Sequence, residues 1–297
     1  MAGTRKLFSA LTRRGPHRVL RGDLAFAGLP GVVYTPDSGF NLPAVVFGHD
    51  WVTGADQYRG TLEHLASWGI VAAAPDTERG LAPSALNLAY DLGTALDIVA
   101  GVRLGPGQIS VHPSKLGLAG HGFGGSAAVL AAAGRSAGSA GSAGSAGSAN
   151  GAPFVPKTVA ALFPAVSAPA AEKAAGALTI PGLVLAAPGD PVTLRSNAVE
   201  LARAWEGAVL RIVSKAKPGG LIEGRRLGRV VGLPGADKNT QKRVRALLTG
   251  YLLHTLAGDK TYRDFADPDA QLPKTEPADP AADPVQLEDK IVALVKH

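Results

Sequence analysis

Residues 116–126 read Leu-Gly-Leu-Ala-Gly-His-Gly-Phe-Gly-Gly-Ser: a short apolar run, a glycine-rich turn and the start of an alanine-rich helix. A side chain lifted on such a turn stands at a helix N-terminus, where partial positive charge favours an anionic or nucleophilic group. Gly120 and Gly124 flank the centre of the turn and let strand and helix approach closely. The centre is Gly122, which keeps the turn and supplies no nucleophile. Ser126 lies four residues further on, about one helical turn deeper, where it faces the interior or bonds a backbone group. A second polar group, His49 and Asp50, follows the apolar run 44–47, and Asp190 follows the run 183–187. His49, Asp50 and His121 could meet above a sheet and line a pocket. As a metal site they need a further ligand, which Asp190 could supply, and the spacing matches no strong motif. Packing is the plainer reading, and no cofactor or metal is implied. The chain has no cysteine, which excludes disulfides, thiolate metal sites and thiol nucleophiles.

The elements that must position these residues are legible in the apolar pattern. Runs at 44–47, 70–74, 116–119, 183–187 and 209–213 are short, continuous and bounded by Gly, Pro or charge, as buried parallel strands are. Helix-like stretches at 57–68, 84–102, 124–133, 197–205 and 240–256 alternate with them. The alternation predicts an α/β fold with a mostly parallel central sheet and helices on both faces. Residues 17–26 and 31–34 read as an antiparallel hairpin leading into it. A dinucleotide-type glycine loop competes for 120–125, but this loop comes after at least two strand–helix units. It also lacks the acidic residue about twenty positions on that such a loop needs.

Composition sets the remaining bounds. The apolar share of 46% allows a sizeable core, and at 5% aromatics that core must be built mainly from Ala, Val and Leu. Residues 1–17 form a basic segment, expected to fray, with a short helix on an anionic membrane as the alternative. Its apolar stretch is too short for a signal peptide, so the chain reads as cytoplasmic. Gly-Ser-Ala triplets over 136–150 read as a flexible surface insertion within a domain spanning 18–266. The tail, 267–297, is rich in Pro and Asp, reads as extended or disordered, and ends in a short amphipathic helix at 285–296. A basic stretch runs from 211 to 245. Lys215, Lys217, Arg225, Arg226 and Arg229 in it could bind an anion, or form a solvated face.

Five segments together resemble α/β-hydrolases of the dienelactone hydrolase type, including the cutinase-like polyester hydrolases. They are PGVVYTP (30–36), PAVVFGHDW (43–51), GLAGHGFGGSAA (117–128), IPGLVLAAPGD (180–190) and GDKTYRDF (258–265), and the resemblance covers residues 18–270. It implies a triad in the order Ser, Asp, His on an α/β-hydrolase fold. The serine position is Gly122, at the centre of a nucleophile elbow without its serine. The aspartate position is Asp190. The histidine position falls in 214–224, which holds no histidine, with Pro218 near its place. After Asp190 only His254, within a long helix, and the last residue, His297, remain. The resemblance further implies an oxyanion hole of backbone N–H groups at Phe123 and near Asp50 or Trp51.

Three functions follow. The first is a catalytically inactive homologue that binds an acyl-type small ligand or a protein partner. The second is a residual carboxylic-ester hydrolase using water activated by Asp190 or His121. The third is a basic adaptor on anionic lipid or nucleic acid; no nucleic-acid module or stacking aromatic supports the latter partner.

Overall fold

A computed structural model describes residues 2–138, 153–188, 197–224 and 235–281. Asp190, Arg225, Arg226, Arg229, most of the Gly-Ser-Ala insertion and the 285–296 helix lie outside the described residues.

Nine strands form one sheet: β1 (Val19–Asp23), β2 (Gly31–Pro36), β3 (Gly39–Gly48), β4 (Val71–Pro75), β5 (Ile109–His121), β6 (Thr158–Leu162), β7 (Gly182–Ala186), β8 (Ala208–Val213) and β9 (Thr275–Pro277). Their order is β1-β2-β4-β3-β5-β6-β7-β8-β9. From β4 to β8 every neighbouring pair is parallel, while β1, β2 and β9 run antiparallel to their neighbours. The chain is therefore of the α/β class. β4, β6 and β7 are buried along their whole length, which is why they read as unbroken apolar runs rather than alternating ones.

Helices cover both faces. α3 (Ala85–Gly101), α4 (Phe123–Gly138), α5 (Ala171–Ala175) and α6 (Ala198–Ala204) bury Ala, Leu and Val on one side. α1 (Ala2–Leu11), α2 (Arg59–Ser67) and α7 (Lys238–Thr255) close the other. α3 starts where Ser84 accepts a hydrogen bond from the Asn87 N–H, and α7 where Asp237 accepts one from Thr240. From β3 the chain leaves through α2 to β4 on one side, then returns through α3 to β5 on the other. That reversal puts the carboxyl ends of β3 and β5 at the switch point where open α/β sheets carry ligands.

Three expectations need correction. The N-terminal segment does not fray: α1 buries Phe8 and Leu11 beside α7, and Thr4 donates to the Asp264 carboxylate at 2.6 Å. The apolar side of α1 is therefore used within the chain. The stretch from 136 does not begin as a loop, because α4 continues to Gly138. The tail is not structureless at its start: residues 275–277 extend the sheet by pairing with β8.

Arg211 explains how that tail is held. It lies in β8 with no exposed surface, where the basic stretch suggested a solvated cation. Its guanidinium donates to the carbonyls of Ala270 at 2.9 Å, Asp264 at 3.3 Å and Asp267. Burial pushes its pKa down to about 10, with Asp267 and Asp264 opposing the fall, so it remains a cation at neutral pH.

Candidate functional site

The turn after β5 sits at this switch point. Gly122 has φ +53°, a conformation that a residue with a Cβ enters at a cost. Its backbone is fully engaged: its N–H donates to the Leu162 carbonyl, and its own carbonyl accepts from Gly125, Ser126 and Ala165. Gly124 is needed for a different reason. A Cβ there would lie 2.3 Å from the Gly48 carbonyl and 2.4 Å from that of His49. This first turn of α4 is pressed onto the end of β3.

A Cβ on residue 122 would meet the carboxylate of Asp50, at 2.1 Å from Oδ1 and 2.5 Å from Cγ. The space where a side chain at the centre of the turn would begin is thus filled by an acidic side chain from the loop after β3. Asp50 Oδ1 also accepts the Phe123 N–H at 3.0 Å. Phe123 is the first residue of α4, so the carboxylate sits where the helix dipole favours an anion. Its other oxygen is 3.9 Å from His121 Nδ1.

Asp50 is fixed by its own backbone as well. Its N–H donates to the Tyr58 hydroxyl at 3.1 Å, and its carbonyl faces His49 Nδ1 at 2.9 Å and accepts from the Thr53 hydroxyl. Tyr58 Oη is in turn 2.8 Å from His121 Nδ1, and both rings are buried. His121 stacks edge-on against Tyr58 and Phe163. Asp50, Tyr58 and His121 form one connected group beneath the turn, and sequence reasoning missed both Tyr58 and the carboxylate role of Asp50.

The remaining sequence candidates separate. His49 is fully buried, and its two ring nitrogens face the Asp50 carbonyl and the Thr77 carbonyl at 2.9 and 2.7 Å. Both ring nitrogens thus face backbone, and the ring is not paired with His121. Among the described residues no group of three or more His, Cys, Asp or Glu could hold a metal ion. Trp51 turns outward, half exposed, with its indole N–H on the Leu81 carbonyl at 3.1 Å. Ser126 is fully buried and donates to the Ala165 carbonyl. Pro218 opens a short 3-10 turn, Pro218–Leu221, after β8. His254 lies near the end of α7, with its ring on the Asp259 carbonyl.

The basic stretch also comes apart. Arg211 is interior, Arg243 donates to the Ser214 carbonyl, and Arg245 pairs with Glu223 at 2.7 Å. Glu223 is occupied besides with the Gly60 and Thr61 N–H groups at the start of α2. Lys215 and Lys217 are exposed.

No protein-family model matches the chain, and no curated protein matches its sequence. Among the described residues no helix is long and apolar enough to cross a membrane.

Proposed function

We propose that this chain is an α/β-hydrolase homologue that does not hydrolyse esters and acts instead by binding. One observation carries the reading. The Asp50 carboxylate occupies the side-chain space at Gly122 and takes the Phe123 N–H that would polarise a substrate carbonyl. An oxyanion hole works by presenting such a donor to the oxygen that gains charge in the transition state. Here that donor already holds an anion supplied by the chain. The assignment to the hydrolase fold is supported by the strand–turn–helix setting of Gly122. It is also supported by the neighbouring loop after β3, from which such enzymes draw their second donor.

The other hydroxyls near the turn are not poised for attack: Ser126 is buried on a carbonyl, Thr53 donates to the Asp50 carbonyl, and Tyr58 bridges Asp50 and His121. A ligand is then expected at the rim, where Trp51 and Leu81 are exposed, rather than against Phe123. Large apolar groups of this kind anchor protein partners and apolar ligands.

The test is hydrolysis of short- and medium-chain p-nitrophenyl esters together with labelling by a fluorophosphonate probe. The natural protein is expected to show neither. Covalent labelling of any serine, or turnover that survives purification, overturns the reading. Gly122→Ser with Pro218→His alone is expected to stay silent, because Asp50 still fills the site. Adding Asp50→Gly is expected to give labelling at position 122.

A further inference from the structure

A second recess lies away from the turn, on the α1 side of the sheet. It is a groove of about 510 Å³ lined by Arg5, Phe8, Ser9, Thr12, Pro273 and Lys274. Arg5, Phe8 and Ser9 share one face of α1, with Thr12 just past its end. Pro273 and Lys274 come from the turn that leads into β9. The floor is apolar, since Phe8 is buried, and the rim is cationic, since Arg5 and Lys274 are exposed.

These cations differ from others in the molecule. Arg135 is held on Asp97 at 2.6 Å and Arg245 on Glu223 at 2.7 Å. Among the described residues Arg5 and Lys274 have no carboxylate partner. The turn nevertheless holds Lys274 in place: its carbonyl accepts the Ser214 N–H at 3.0 Å, and Thr275 bonds the Leu272 carbonyl through both N–H and hydroxyl. Lys274 has φ +62°, and Lys215, next to Ser214, has φ +54°. Two lysines at adjoining strand ends thus adopt a backbone conformation unfavourable for a residue with a Cβ. Arg5 of the N-terminal basic segment and Lys274 meet at this groove, although they come from opposite ends of the described chain.

We propose that this groove binds a phosphate-bearing ligand, with Arg5, Lys274 and the Ser9 hydroxyl on the phosphate and the rest of the molecule against Phe8 and Pro273. Guanidinium and ammonium groups converging from separate elements suit a multiply charged oxyanion better than a single carboxylate. The groove has more room than a phosphate group alone would fill. A soluble phosphomonoester and a lipid headgroup share this chemistry. Gly122 and its surroundings take no part in this groove.

The full chain would be titrated with glycerol phosphate, and floated with phosphatidylcholine vesicles lacking or containing phosphatidic acid. Binding of glycerol phosphate assigns a soluble ligand; binding of the phosphatidic acid vesicles alone assigns a headgroup. Arg5→Ala with Lys274→Ala is expected to weaken either one at least about tenfold, and Ser9→Asp to abolish it. Arg13→Ala with Arg14→Ala, exposed cations outside the groove, is expected to change it less than about threefold. Thermal melts of the groove variants should match the natural chain. Absence of binding to both probes, or equal losses from the two pairs of substitutions, overturns the proposal.

Discussion

Two regions at the carboxyl edge of the sheet treat charge in opposite ways. Over β3 and β5, the chain supplies its own anion to a helix N-terminus and surrounds it with Tyr58, His121 and backbone. Beyond β8, it fixes the backbone of a cation in a left-handed turn and leaves the charge with no carboxylate partner among the described residues. A satisfied site contributes to folding, and a ligand must displace something to use it. An unsatisfied one contributes little to folding and keeps its interaction for a ligand. The difference predicts that the first region is sensitive to substitution in stability and the second in binding.

The largest effect should come from Gly122→Ser. The new Cβ overlaps the carboxylate of Asp50, a residue hydrogen-bonded at its side chain and at both backbone groups, and position 122 has positive φ. Denaturant unfolding should show a loss of about 3–4 kcal/mol. Combining it with Asp50→Gly should restore most of that loss, a strong coupling in a double-mutant cycle. If the two losses simply add, the two groups do not compete for one space and the comparison fails.

The next effect concerns His64, which joins α2 to the end of α1. It is buried, its ring bonds the Leu11 backbone, and its Nε2 has no partner among the described residues. Burial, reinforced by the Arg245 charge, lowers its pKa to about 4. The unfolded chain therefore takes up this proton before the folded one does. Stability from this residue is complete above about pH 6.5 and falls as pH drops toward 4. The loss should approach about 3 kcal/mol, an upper figure, and His64→Leu should flatten that part of the stability–pH profile. An unchanged profile would place the acid sensitivity elsewhere.

Asp50→Asn should cost about 1 kcal/mol, since the amide oxygen still accepts from Phe123 but without charge. The smallest effect belongs to the other region. Arg5→Ala with Lys274→Ala should move unfolding by less than about 0.5 kcal/mol, because both side chains are exposed and have no carboxylate partner among the described residues. A larger loss there would mean that these cations hold the fold.

Much of the fold could be read from the chain because buried parallel strands are written as continuous apolar runs. All five runs named from the sequence appear as strands, and 158–162 adds a sixth parallel one in the stretch that follows the insertion. Gly122 could be recognised as the empty centre of a turn because glycine spacing is local. The role of Asp50 could not. It depends on the β3–β5 pairing that sets Gly48 beside Gly120 and brings together residues 73 positions apart. The sole hint was an acidic residue just past the end of an apolar strand. The N-terminal helix looked like a frayed end because a partner of Thr4 lies 260 residues away. The basic stretch looked like one face because sequence does not show that a strand turns Arg211 inward while a helix sets Arg245 against Glu223.

Arg211 also carries a consequence for how the chain is made. Its three carbonyl acceptors follow it by 53 to 59 residues. At a synthesis rate of about 5–20 residues per second, they are translated roughly 3–12 s after it. During that interval β8 cannot be buried without sealing in a cation that has lost its water and gained no oxygen in exchange. The edge of the sheet must stay wet until the tail arrives, so a nascent chain that stalls before residue 264 would present an unfinished edge for quality control to recognise.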